Sequence, residues 1–101
     1  MNIFDVIQYI ECDSFSQKAC ENAAKSLGLQ LGGDGDQFAG DHPVKGCHAY
    51  ESGHRAGLAF YGTGGTELEM KQETPFPNQY RPKTKDCPTK GTLAKMIDVI
   101  I

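Results

Sequence analysis

Glycine is concentrated in the middle of this 101-residue chain, where eleven of its twelve glycines fall between Gly28 and Gly65. A glycine has no Cβ, so it accepts positive φ angles and lets two backbones approach closely. Because aromatic residues and one cysteine are interleaved with these glycines, the segment predicts a tight β structure with many turns. The same segment contains no motif that specifies a reaction.

The length and composition indicate one small domain, spanning residues 1–101. Charged residues make up 23% of the chain, which is ordinary for a folded protein. The net charge of −3 gives no electrostatic reason to expect nucleic-acid binding. No stretch reaches the roughly 18 apolar residues that a spanning helix needs, so we expect no membrane span.

Four cysteines are spread along the chain, at Cys12, Cys20, Cys47 and Cys87. No Cys-x-x-Cys pair is present, so the spacings of zinc ribbons and thioredoxin-like sites are missing. Three pairings are possible. We favour Cys20–Cys47 and Cys12–Cys87, because Cys20 lies on a predicted helix and Cys47 on a predicted strand, each on a face expected to be buried. The alternative is four reduced cysteines in a cytosolic protein.

The favoured pairing predicts an extracytoplasmic location, either secreted or in an organelle lumen, because disulfides form in oxidising compartments. Residues 1–12 lack the basic region and the long apolar region of a signal peptide. We therefore expect either a chain that is not exported or a mature or excised piece.

The clearest predicted helix spans residues 15–27. Ser14 and Gln17 have capping-box spacing, and Ser16 could cap the helix equally well. Small and apolar side chains recur at helical spacing and form one stripe: Ala19, Cys20, Ala23, Ala24 and Leu27. Gly28 supplies a stop, and the small side chains of the stripe predict close packing on a sheet.

Two segments, 46–51 and 58–61, predict strands that form a hairpin with a wide turn. Residues 29–31 suggest a short strand and residues 67–73 a further one. Residues 74–91 hold four of the five prolines, and we expect an irregular excursion there.

The two ends of the chain are ambiguous between helix and strand. Residues 3–12 favour a strand, and residues 92–101 favour a strand returning beside it, although both also fit a helical face. The predicted fold class is α+β. One amphipathic helix at 15–27 packs on a small antiparallel sheet with a central hairpin at 46–61, and disulfides staple the domain.

Aromatic side chains of the hairpin are the candidate ligand-binding residues. We expect Tyr50 and Tyr61, with His48 and Tyr80, to offer a face for a protein or a carbohydrate. The alternative is that such aromatics divide between the core and the rim of the sheet.

Three acidic residues, Asp34, Asp36 and Asp41, crowd a glycine-rich loop and are a weak calcium candidate. The spacing of an EF-hand is not met. Aspartate and glycine also suit a solvated turn, which is the competing interpretation.

Other possible sites are weaker. A zinc site could draw on His42, Cys47, His48 and His54, but neighbours on a strand alternate faces, so His48 should point away from Cys47. Residues 62–66 could cradle a phosphate, but they lack the Lys-Ser/Thr ending of a P-loop. No serine lies in a nucleophile elbow. We expect no enzyme, no metal and no cofactor.

Three segments carry a resemblance: 20–29 (CENAAKSLGL), 45–53 (KGCHAYESG) and 59–65 (AFYGTGG). They are similar to small glycine- and cysteine-containing modules in algal proteins, including those of diatoms, with Cys-x-x-Ala-Ala on a helix and Gly-Cys-x-x-Tyr on a strand. More distantly, the layout resembles the PAN/apple type, in which a helix cysteine bonds to a sheet cysteine. The PAN/apple resemblance implies extracellular binding of protein or carbohydrate, whereas the algal modules imply no activity. The chain has fewer cysteines than PAN/apple domains.

The sequence thus predicts a non-enzymatic, extracytoplasmic recognition module that binds protein or carbohydrate through the face of Tyr50 and Tyr61. The alternative is a small accessory subunit of a larger, organellar assembly, with its apolar ends and the 74–91 segment lying against neighbours.

Overall fold

The computed structural model describes residues 13–85, of which Phe15–Lys85 form one compact unit. Within these residues, two helices and five strands follow one another: α1 (Gln17–Ser26), β1 (Gln30–Leu31), β2 (Ala39–Gly40), β3 (Gly46–Tyr50), β4 (Leu58–Gly62), α2 (Glu67–Lys71) and β5 (Gln79–Tyr80). The strand predictions for residues 3–12 and 92–101, and the Cys12–Cys87 pairing, lie outside the described residues.

An antiparallel hairpin of β3 and β4 forms the centre of the sheet. Strand β5 pairs in antiparallel fashion with the free edge of β3. The other edge of β4 is covered in succession by β1 and β2, which both pair with it in parallel. The predicted α+β class, with one main helix on a mostly antiparallel sheet and a central hairpin, is confirmed.

Two local features of the sequence set the ends of helix α1. The hydroxyl of Ser16 accepts a hydrogen bond from the backbone N–H of Ala19 at 3.0 Å, so Ser16 is the N-cap. Gly28 lies just past the last turn with φ of 73°, a left-handed conformation that glycine adopts without strain. The buried face of the helix consists of Cys20, Ala23 and Ala24.

Small side chains let α1 approach the sheet closely. Ala24 of the helix packs with Ala49 of β3 and Ala59 of β4, and all three are fully buried. At this short separation Cys20 reaches Cys47, and the two form a disulfide with a Cα–Cα distance of 5.3 Å. The predicted staple between helix and strand is therefore present, and it fixes α1 to one face of the hairpin.

The prediction of a strand at residues 67–73 is wrong, because this segment begins with the short helix α2. Thr66 and Glu69 form a capping box: the Thr66 hydroxyl accepts from the Glu69 N–H, and the Glu69 carboxylate accepts from the Thr66 N–H. Within residues 13–85, neither helix has the length and apolar character to cross a membrane.

Arg81 ties the edge of β3 to the end of α2. Its guanidinium donates to the main-chain carbonyls of Lys45 and Cys47, at 2.7 and 3.0 Å. It also donates to those of Glu69 and Gln72, at 3.1 and 2.8 Å. The planar fork of an arginine can serve several acceptors at once. One side chain thus holds the segment that follows β5 against two other parts of the fold.

Candidate ligand-binding cleft

The face of the hairpin that points away from α1 carries a cluster of rings. His48 of β3 is paired in register with Phe60 of β4, and their rings stack with centroids 6.0 Å apart. Tyr50 and His42 contact the same phenylalanine edge-on, at 5.9 and 5.3 Å. The period of two along β3 places this cluster opposite Cys47 and Ala49, which face the helix.

His48 is held as a neutral, oriented ring. It is only 3% exposed, and its Nδ1 lies 3.0 Å from the carbonyl oxygen of Gly46, to which it donates. Burial lowers the pKa of His48 to about 4, so the ring is uncharged at neutral pH. Because Nδ1 carries the proton, Nε2 carries the lone pair and is a hydrogen-bond acceptor.

Arg55, in the turn between β3 and β4, joins this cluster to the acidic loop. It donates to Asp34 at 2.9 Å and to Asp36 at 2.8 Å. Its guanidinium carbon also lies 5.3 Å from the centre of the Phe60 ring and 5.9 Å from that of Tyr50. The hydrogen bond that Arg55 donates to Asp36 raises the pKa of the guanidinium, so the arginine remains a cation in this position.

The predicted metal candidates are not brought together. Asp34 and Asp36 are engaged by Arg55, whereas Asp41 pairs with Lys45 at 2.7 Å. Within residues 13–85 the structure gathers no group of three or more His, Cys, Asp or Glu side chains that could hold a metal ion. Two of the three aspartates are therefore held by ion pairs with Arg55.

A cleft of about 310 Å³ opens beside the ring cluster. It is lined by the turn residues 52–55, by Phe76 and Asn78, and by Tyr50 and Gln79. A second cavity of about 90 Å³, which we call the inner cavity, is lined by the same tyrosine, phenylalanine and glutamine. The remaining lining of the inner cavity includes His42, His48, Arg55 and Phe60.

Gln79 has an unusual position in this wall. It is paired in register with Tyr50 and is 8% exposed. Its side-chain oxygen Oε1 is buried and has no hydrogen-bond partner among the described residues. Buried polar groups in folded proteins nearly always have a partner, so this acceptor is an exception that calls for an explanation.

The four predicted ligand-binding residues divide between the two faces of the sheet. Tyr50 lines both cavities, and His48 lines the inner one. Tyr61 is paired with Cys47 and faces the helix, where its hydroxyl donates to the carbonyl oxygen of Phe15 at 2.6 Å. Tyr80 packs against the alanine core on that same side. The expected shared face of Tyr50 and Tyr61 is therefore wrong.

The sequence interpretation missed much of the cleft lining, including Arg55, Phe76, Asn78 and Gln79. Phe76 and Gln79 lie in the proline-rich segment that was expected to be irregular, where the structure places β5. The sequence offered one signal for these residues: Arg55 in the hairpin turn is a possible ion-pair partner for Asp34 and Asp36 in the acidic loop.

Neither a protein-family model nor a curated protein nor a solved structure matches this chain. The resemblance to algal modules and to PAN/apple domains accordingly stays a prediction.

Proposed function

We propose that the protein is a non-enzymatic recognition module that works outside the cytoplasm and holds a protruding group of a partner, a protein or a carbohydrate, in the cleft. The observation that carries the proposal is the buried Oε1 of Gln79. An unsatisfied buried acceptor costs about 1–3 kcal/mol of stability, which a bound donor would offset.

The chemistry of the cleft supports a binding role. Tyr50 and the half-exposed Phe76 supply flat apolar surface on its wall. Gln79 and Asn78 add polar groups beside them. A concave site with aromatic walls and a few polar groups is the usual form of a ligand pocket.

Other features support binding over catalysis and an extracytoplasmic location. Asp36, the carboxylate that lines the inner cavity, forms an ion pair with Arg55, so its oxygen is already engaged. His48 is a buried neutral ring in an aromatic stack. The Cys20–Cys47 disulfide is consistent with an oxidising compartment. The alternative of an accessory subunit depended on the apolar chain ends and on the 74–91 segment. The ends lie outside the described residues, and the alternative stays a prediction.

Replacing the unsatisfied amide tests this proposal. We expect Gln79→Leu to raise the free energy of unfolding of the free protein by about 1 kcal/mol, because leucine fills a similar volume and buries no unpaired oxygen. Urea denaturation followed by circular dichroism measures the change. A binding site retains a residue that lowers the stability of the free protein, because selection maintains that residue for binding.

Gln30→Leu is the matched control. The Gln30 side chain already donates to the carbonyl of Gly32 at 2.9 Å, so its loss should be neutral or destabilising. If Gln79→Leu instead lowers the free energy of unfolding, then the amide has a structural role and the binding proposal loses its main support.

A further inference from the structure

Phe76 is an exposed aromatic ring in the lining of the cleft. It is 52% exposed and lies between Pro75 and Pro77, whose own rings fix φ. The turn that carries it is closed by its own hydrogen bonds. The Thr74 hydroxyl donates to the Gln79 carbonyl at 3.1 Å, and the Gln79 N–H donates to the Phe76 carbonyl at 3.1 Å. A ring on such a constrained backbone loses little entropy when it binds a ligand.

The two segments that line the cleft are tied to each other. The N–H of Glu51 donates to the carbonyl of Asn78 at 2.9 Å, and Nδ2 of Asn78 donates to the carbonyl of Ser52 at 3.4 Å. Tyr50 and Gln79, which also line the cleft, are paired in register on β3 and β5. The turn of Phe76 is thereby fixed against the hairpin turn, so the cleft is formed before any ligand enters it.

The charge in the cleft favours a neutral ligand. Arg55 lines the cleft and donates to Asp34 and Asp36, at 2.9 and 2.8 Å. Its guanidinium disfavours a cationic ligand, while the two carboxylates that surround it disfavour an anionic one. Among the described residues, the lining contains no lysine, aspartate or glutamate that would offer an unpaired charge instead.

The lining also fits a carbohydrate better than a partner protein. A protein interface has an apolar centre and typically buries about 800 Å² on each partner. Of the three large apolar side chains that are exposed within residues 13–85, Phe76 lines the cleft, whereas Leu27 follows α1 and Leu68 belongs to α2. A single exposed ring beside the amides of Asn78 and Gln79 matches a sugar, which has an apolar C–H face and hydroxyls that pair with amides.

The size of the cleft limits the ligand to about one sugar ring. Its volume of about 310 Å³ is near the lower end of ligand pockets and corresponds to roughly ten waters. The inner cavity, at about 90 Å³, is too small to receive a ring. A longer glycan would therefore place one residue in the cleft and extend into solvent.

We infer that the cleft binds one neutral pyranose residue of a glycan, with the apolar face of the sugar on the ring of Phe76. This inference rests on the proposed recognition function and narrows its ligand to a carbohydrate. It assigns to the rigid turn 74–79 the role of presenting the stacking ring.

Amide-shift NMR and isothermal titration on the full chain test the inference with small probes. The probes are the methyl glycosides of glucose, galactose and mannose, and the matched control for each is its uronic acid analogue, which adds one negative charge. Capped phenylalanine and capped leucine represent a partner protein. We expect at least one neutral glycoside to shift the amides of Phe76 and Asn78 saturably and to bind about tenfold or more tightly than its uronic acid analogue and than either amino acid.

Variants of the exposed ring locate the binding. We expect Phe76→Ala to weaken the bound glycoside about tenfold or more, whereas Phe76→Tyr keeps the ring and stays within about threefold of the wild type. Leu68→Ala is the matched control, because Leu68 is an exposed apolar side chain outside the cleft, and it should leave the affinity unchanged. Circular dichroism first establishes that each variant is folded. If Phe76→Ala fails to fold, then the uronic acid comparison and the amide shifts of the wild type still decide the question.

The outcomes separate the inference from the proposed function. Preferred binding of a capped amino acid in the cleft would overturn the carbohydrate assignment and leave a binding cleft. An unchanged affinity of folded Phe76→Ala for the glycoside would overturn the stacking role of this ring. Absence of binding by every probe would overturn the inference, and with it the recognition function if Gln79→Leu also fails to stabilise the free protein.

Discussion

Replacing both Cys20 and Cys47 with alanine is expected to lower the free energy of unfolding by about 3.5 kcal/mol. The disulfide joins residues separated by 27 positions, and in the chain-entropy model a closed loop of that length restricts the unfolded chain by about this amount. The bond also fixes α1 to the strand whose opposite face carries His48 and Tyr50. Urea denaturation of the double variant and of the oxidised wild type measures the difference.

The single variants Cys20→Ala and Cys47→Ala are the control. Each single variant breaks the same disulfide, so each should lower the free energy of unfolding nearly as much as the double variant does. The two single effects should therefore not add. If the double variant lies within about 0.5 kcal/mol of the wild type, or if the single losses add, then the cysteines contribute only as packed side chains and the staple is not what holds the helix.

The stability of the protein is expected to fall by about 3 kcal/mol as the pH is lowered from 6.5 to 4, through His48 alone. Burial lowers the pKa of His48 to about 4 in the folded state, while its unfolded value is close to 6.5. The unfolded chain therefore takes up the proton first as the pH falls. The contribution of the neutral ring is fully present above pH 6.5 and is lost as the pH approaches 4.

His48→Phe should remove this part of the pH dependence, because phenylalanine keeps the stacked ring on Phe60 and cannot titrate. His54→Phe is the matched control, since the side chain of His54 is 83% exposed. Denaturation series between pH 4 and pH 7 give the slopes. An NMR titration of the His48 ring measures its pKa directly, and a value near 6.5 would contradict the buried neutral ring.

Much of the fold could be predicted because its signals are local. The Ser16 cap, the small residues of the helix stripe and Gly28 define α1 within one short stretch of sequence. The alternation of side chains between the two faces of β3 and β4 is likewise visible in the sequence. The strand prediction at 67–73 overlooked the capping box of Thr66 and Glu69. The capping box supplies acceptors for N–H groups that are otherwise unpaired at the start of a helix, and it therefore favours a helix over a strand here.

The site was only half predictable, because its other half depends on long-range pairing. The period of two placed His48 and Tyr50 on one face of β3 without further information. The face of Tyr61 depends on the register of β4 against β3, and the position of Gln79 depends on β5 pairing with β3. Neither register can be read from the residues themselves, so Tyr61 was assigned to the wrong face and Gln79 was missed.

Amide-shift mapping of the isotopically labelled full chain tests most directly whether the cleft is a binding site. The probes are a panel of capped single amino acids and a panel of neutral mono- and disaccharides. We predict that at least one probe causes saturable shifts of the amides of Tyr50, Gln79 and the turn residues 52–55, and leaves those of α1 unmoved. Saturable shifts confined to the helix face, or none with any probe, would contradict the account.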